Sequence, residues 1–128
     1  MSDRLKDKVI ILTGASGLIG KATQAHLLLN GAKVLSVDMN ISHAPEQVSY
    51  KYDITNKHDI DLLLQEVMNN HGRVDGLVNL AYPRTKDWGL KFEDIPLSSW
   101  RENVDMQLNS VFYLCQQVLE IMKKQQNG

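Results

Sequence analysis

The residues of this chain whose types and spacing suit chemistry begin with Thr13-Gly14-Ala15-Ser16-Gly17-Leu18-Ile19-Gly20, and that chemistry belongs to the backbone. Gly14 permits a tight turn, Gly17 removes a Cβ where a pyrophosphate would approach, and Gly20 lets a helix lie close on the preceding strand. A helix starting there presents free N–H groups and a partial positive charge to phosphate. Gly14, Ser16, Gly17, Leu18, Ile19 and Gly20 are therefore expected against a dinucleotide, the alternative being a glycine-rich turn with no ligand. A nucleoside-triphosphatase loop is excluded: Gly14 stands one residue too far from Gly20, and Ala22 replaces the magnesium-binding Ser or Thr. Asp38 follows at a distance suited to a carboxylate that accepts from an adenosine ribose, or it is a solvated aspartate at a strand end. A 2'-phosphate would meet that charge with no adjoining arginine, so NAD is expected over NADP.

These residues need strands and helices to position them. Lys8-Val9-Ile10-Ile11-Leu12-Thr13 reads as a strand covered on both faces. A helix follows from Leu18, with Leu18, Ile19, Ala22, Ala25 and Leu29 on one side and Asn30-Gly31 as its stop. Lys33 to Asp38 repeats the strand signal, and a third short strand is expected around Val48 to Tyr52, after a loop containing Pro45. Thr55 or Asn56 caps a helix striped by Ile60, Leu63, Leu64 and Val67, which ends at His71-Gly72. Val74 to Leu80 is a fourth strand. Ser99-x-x-Glu102 reads as a capping box opening a long helix lined by Val104, Leu108, Val111, Phe112, Cys115, Val118 and Met122. Alternation of strands and helices implies a doubly wound, Rossmann-like parallel α/β sheet of order 3-2-1-4. Residues 1–128 are expected to form a single domain.

The totals narrow the function classes. Composition is that of an ordinary globular chain, with 43% hydrophobic and 23% charged residues, and no apolar run is long enough to span a bilayer. A net charge of -1 offers no basic face to nucleic acid or an anionic membrane. The opening Met1 to Lys8 is charged and lacks the apolar centre of a secretory signal, so the cytoplasm is expected. The single cysteine, Cys115, reads as a buried inert thiol. His26, His43, His58 and His71 lack ligand spacing, so no metal site is expected.

These motifs, in this order, resemble the N-terminal half of the short-chain dehydrogenase/reductase family, and the resemblance covers essentially the whole chain. It extends beyond the glycine loop to Tyr52-Asp53-Ile54-Thr55, whose aspartate in the family contacts adenine. Leu77-Val78-Asn79-Leu80-Ala81-Tyr82 is similar to the family's Asn-Asn-Ala-Gly signature, keeping Asn79 and Ala81 while carrying Leu80 and Tyr82. The resemblance implies that Asn79 braces the sheet and that the Ala81 backbone lines the nicotinamide ribose. The glycine spacing departs from the commonest form of the family and is similar to its extended branch of nucleotide-sugar epimerases and dehydratases. Asp53-Ile54-Thr55 and the Trp100 helix resemble the commoner oxidoreductase branch instead. The Asn79 to Arg84 tract with Lys86-Asp87-Trp88-Gly89 is similar to oxidoreductases of flagellin-modification and acidic-sugar pathways.

In the family, a helix asparagine seven residues after that tryptophan helps hold a catalytic water. Gln107 stands at that position here, as a longer amide replacement or as a polar neighbour of the apolar stripe. Asn109 is two residues further on, about 200° around an α-helix, and is not given the role. The family's serine and Tyr-x-x-x-Lys, which perform proton transfer, have no match on a helix. Tyr82 and Lys86 have the spacing, but Pro83 denies them the helix that would bring them together. The resemblance places the missing set beyond the helix running to about Gln125, so the chain is expected to be truncated before the later strands. It would then be inactive alone, with an exposed edge on its fourth strand. The implied function is that of an NAD-dependent oxidoreductase acting on an alcohol or carbonyl of a small molecule, a sugar-like one among those the resemblance implies, as a homo-oligomer when full-length. A non-catalytic dinucleotide-binding sensor and a nucleotide-sugar epimerase or dehydratase are the alternatives. Ligands of open α/β sheets bind beyond the carboxyl ends of the strands. That places Tyr82, Arg84, Lys86 and Trp88, with Lys91 and Phe92, on the substrate side, where an acidic or sugar-like substrate or a mobile solvated loop accounts for them.

Overall fold

The structure, a computed structural model, describes residues 3–128; Met1 and Ser2, at the head of the charged opening segment, lie outside the described residues. Val9–Thr13 forms strand β1, every residue of which is buried. Five consecutive apolar or β-branched residues suit a position covered on both faces. β1 pairs in parallel with β2 (Lys33–Val37) on one side and β4 (Gly76–Asn79) on the other. The two-residue β3 (Ser49–Tyr50) extends β2, giving the order β3-β2-β1-β4 that the alternation implies. Thr13 is level with Val37 and Asn79, and Val37 with Tyr50. The chain therefore leaves all four strands along one edge, where the residues that line the candidate cleft are gathered.

Helices α1 (Leu18–Leu29), α2 (Lys57–His71), α3 (Leu97–Val104) and α4 (Ser110–Gln125) cover the sheet unequally. Val9, Ile11, Leu35, Val37 and Tyr50 pack with Ile60, Leu63, Leu64 and Val67 of α2 and Leu114 and Val118 of α4. The α2 stripe is the expected one, and each of those side chains contributes about 1.5–3 kcal/mol on burial. Asn56 caps α2 by accepting from the Asp59 N–H, and Gly72 ends it at φ 71°. The opposite face is thinner: Ile10, Leu12, Ala15, Ala32 and Val34 are covered mainly by α1.

Three helix expectations are corrected. The side of α1 bearing Leu18, Ile19, Ala22, Ala25 and Leu29 faces outward, with Leu18 91% exposed. Gly20, Thr23, Gln24 and Leu27 turn inward, because Gly20 is pressed against the backbone of Gly14 and Ala15 and that contact fixes the rotation of the helix. The capping box at Ser99 does not form: α3 starts two residues earlier behind Pro96, and the Ser99 hydroxyl donates to Asp87 instead. The long-helix stripe holds only in part: Val118 is buried and Met122 packs on the core, while Leu108 and Phe112 turn outward. A π-turn at Asp105–Asn109 joins α3 to α4, and the buried residues are Asn103, Ser110, Leu114 and Val118. Leu108 and Phe112 are 64% and 65% exposed, since the wider turn shifts every later residue around the axis. Cys115 is half-buried rather than enclosed.

Candidate functional site

Where the chain leaves the four strands, the loops enclose a cleft of about 480 Å³. Of the residues expected against a dinucleotide, Gly14, Ser16, Gly17, Asp38, Asp53, Ile54 and Ala81 line it, as do Tyr82 and Arg84 from the expected substrate side.

The glycine loop forms the middle of the cleft. Gly14 sits at φ 66°, and a Cβ there would lie 2.6 Å from the carbonyl carbon of Leu80, so only glycine lets the two strand exits approach this closely. Gly17 is the N-cap of α1 and offers no side-chain cap, and no acidic residue occupies the first turn. The N–H groups of that turn therefore have no side-chain acceptor from the cap and present a partial positive charge. The side chains of Leu18 and Ile19 are exposed and do not line the cleft, and Gly20 lies buried against Gly14 and Ala15.

Asp38 closes one side. Its carboxylate accepts from the Ser16 N–H at 3.0 Å and from the Asn40 N–H at 2.9 Å. Burial pushes its carboxyl up, but the donors from Asn40, Ser16 and Met39 outweigh burial and hold it below the ordinary carboxylate value. It is a preformed anion at the end of β2, tied to the loop 22 residues before it. The Asp53 carboxylate accepts from the Thr55 N–H at 2.9 Å and from the Thr55 hydroxyl. Tyr52 also lines this end and donates to Glu66 at 2.9 Å. Burial and that acceptor push its phenol up to about 12, so it stays protonated at neutral pH.

Thr13, fully buried, joins the other side. Its hydroxyl donates to Oδ1 of Asn79 and accepts from the N–H groups of Leu80 and Ala81 at 3.2 Å. Asn79 thus ties the ends of β1 and β4, while Ala81 lines the cleft. No glycine pattern marks the Thr13 hydroxyl, which takes its meaning from partners 66 to 68 residues away.

Tyr82 to Thr85 is not helical, so Tyr82 and Lys86 are not on one helix face. Lys86 is exposed, and Trp88 stands behind Tyr82 without lining the cleft. Gln107 does not line it either: its Nε2 donates to the Pro83 carbonyl at 3.0 Å, bracing the segment beside Ala81. Asn109 faces solvent and donates to Asp105. The Tyr82 loop is bonded in place. Asn103, 2% exposed, accepts from the Thr85 N–H at 3.0 Å and donates to the Thr85 hydroxyl and the Ser99 carbonyl, both at 2.7 Å. Asp87 accepts from the hydroxyls of Thr85 and Ser99, which hold its carboxyl below the ordinary value. Sequence reasoning missed this network; a polar Asn103 one helical turn after Ser99 was its single trace. Among the described residues, no group of three or more His, Cys, Asp or Glu side chains is placed to hold a metal, and no helix is long and apolar enough to cross a membrane.

Comparison with known proteins gives the same fold. The family model for short chain dehydrogenases matches residues 8–128. Post-translational flagellin modification protein A of Campylobacter coli is 28% identical over 97% of this chain and 54% of its own length. A 3-oxoacyl-[acyl-carrier-protein] reductase of Thermotoga maritima is 32% identical over 98% of this chain and 54% of its own. A short chain dehydrogenase of Leptospira borgpetersenii, solved with bound NAD+, superposes with a TM-score of 0.79 at 27% identity, covering 96% of this chain and 49% of that one. The chain thus spans about half the length of the relatives it matches.

Proposed function

Because the chain belongs to the short-chain dehydrogenase family over residues 8–128, we propose that it is the cofactor-binding half of an NAD-dependent oxidoreductase of small alcohols or carbonyls. The observation that carries this reading is the convergence of the glycine loop, Asp38, Asp53 and Ala81 on one cleft at the ends of parallel strands. The first-turn amides of α1 hold the diphosphate, with Gly14, Ser16, Gly17, Leu18, Ile19 and Gly20 forming the cradle. Asp38 accepts from the adenosine ribose and disfavours a 2'-phosphate, which supports NAD over NADP. Asp53 and Ile54 flank the adenine, and Asn79 fixes the strand exit from which Ala81 borders the nicotinamide ribose. Bound nicotinamide supplies the hydride chemistry; the chain's own residues bind and orient.

The 128 residues hold no serine with a Tyr-x-x-x-Lys helix, so the chain alone binds without turnover. The oxidoreductase relatives favour this reading over a sensor or a nucleotide-sugar epimerase. A cytoplasmic setting, a small-molecule substrate and homo-oligomerisation of a full-length form complete it. Fluorescence titration with NADH and NADPH tests it. Saturable NADH binding with NADPH at least about fivefold weaker is expected from one uncompensated charge contact. A folded sample that binds neither nucleotide overturns the reading, and equal affinities remove Asp38 from its role.

A further inference from the structure

The cleft lining contains three charged side chains, Asp38, Asp53 and Arg84. Two are engaged by the chain itself, since Asp38 accepts from Ser16 and Asn40, and Asp53 accepts twice from Thr55. Arg84 is different. Among the described residues it makes no ion pair. The acid nearest in sequence, Asp87, accepts from the hydroxyls of Thr85 and Ser99 and forms no ion pair with it.

The side chain is exposed, and its guanidinium has one aromatic neighbour. It lies over the Tyr82 ring at 5.3 Å, a cation–π contact that orients a long side chain without neutralising it. Tyr82 meets Trp88 edge-on at 6.4 Å, and Trp88 stacks on Trp100 at 6.5 Å and 17°. Below this stack the backbone is fixed by the Asn103 clamp on Thr85 and by Gln107 on the Pro83 carbonyl. A cation supported this way and left without a protein anion is a prepared anion receptor.

Its position along the sheet identifies which anion it would take. The strand order sets the loops after β3 and β2 at one end of the cleft, the glycine loop in the middle and the Tyr82 loop after β4 at the other end. A dinucleotide with adenosine beside Asp38 and diphosphate on the glycine loop leaves Arg84 beyond the diphosphate, on the substrate side. We propose that Arg84 recognises a carboxylate, so that the substrate is a small hydroxy or oxo acid. The proposal rests on the reading above that the cleft takes the dinucleotide. A planar guanidinium pairs with a carboxylate through two parallel N–H donors, which a lysine cannot reproduce.

The chain's two tryptophans, Trp88 and Trp100, are both in this stack, so intrinsic tryptophan fluorescence reports on the site directly. Titrate the NADH-saturated chain at low ionic strength with two matched pairs: D-glucuronate against D-glucose, and mandelate against 1-phenylethane-1,2-diol. The expected result is that at least one acid binds on the order of tenfold or more tighter than its neutral partner. Arg84→Gln is expected to abolish that preference and Arg84→Lys to retain part of it, with NADH affinity unchanged in both. No preference for the acid in either pair, or a preference surviving Arg84→Gln, overturns the proposal. An Arg84→Gln chain that loses NADH instead shows the arginine serving the diphosphate, which overturns the substrate role and leaves the cofactor reading standing. A wild-type chain that fails to bind NADH sinks the cofactor reading, and the same acid titrations without NADH then decide Arg84 separately.

Discussion

Replacing Gly20 with alanine adds one methyl group where α1 lies against the start of the glycine loop. An ideal Cβ at this position falls 2.1 Å from the Gly14 carbonyl oxygen and 2.9 Å from two backbone atoms of Ala15. The obstructing atoms are backbone, so no side-chain rotation relieves the clash and the helix must retreat by about an ångström to restore van der Waals separation. Overpacking of this kind costs about 1–3 kcal/mol, which for a domain of this size lowers Tm by roughly 3–15 °C. The same retreat carries the first-turn amides away from a diphosphate and is expected to weaken NADH binding on the order of tenfold or more. Gly89→Ala is the control, because a Cβ there meets nothing within 4 Å, and a surface substitution of that kind stays within about 0.5 kcal/mol. Calorimetric melting and NADH titration of both variants make the comparison. If Gly20→Ala melts alongside Gly89→Ala and keeps its NADH affinity, the close approach of α1 to the loop is not what builds the site.

Asp38→Ser removes the charge that would face a 2'-phosphate. A unit-charge repulsion at about 4 Å is worth about 1–4 kcal/mol between aqueous and protein-surface screening, so the NADPH-to-NADH affinity ratio is expected to rise by at least about fivefold; an unchanged ratio in paired titrations refutes the assignment. His71 accepts from or donates to Tyr50 at 2.8 Å, its Nδ1 is buried without a partner among the described residues, and burial, then Lys33, push its ring below the ordinary histidine value. A lowered value means that the unfolded chain takes the proton first. Stability is therefore expected to fall as pH drops below about 6.5, and His71→Gln is expected to flatten that slope in denaturant melts between pH 5 and 7. Asn103→Ala removes three hydrogen bonds and leaves the Thr85 N–H unsatisfied, at a cost of about 1–3 kcal/mol; altered tryptophan fluorescence is the local sign that the Tyr82 loop has loosened, and an unaltered spectrum with wild-type Tm counts against the clamp.

Much of the fold was legible because its signals are local. An apolar run such as Val9 to Thr13 that stops at glycine marks a buried strand, and the α2 stripe with Asn56 and Gly72 at its ends defines a helix from its own residues. Repetition of strand and helix leaves few parallel sheet orders, and the observed one is the order expected from them. The glycine loop and Asp38 were readable for the same reason, since turn geometry and the reach of one βαβ unit confine them. Which face each helix buries was settled by contacts with other elements. Gly20 against Gly14 and Ala15 turned α1 away from its apparent apolar side, and the π-turn at Asp105–Asn109 turned Leu108 and Phe112 out of the repeat in their sequence. The Thr13 bridge to β4 and the Asn103 clamp on Thr85 join residues 66 to 68 and 18 positions apart. A single polar residue carries no sign of a partner at that distance, so only the folded chain decides that these two residues shape the cleft.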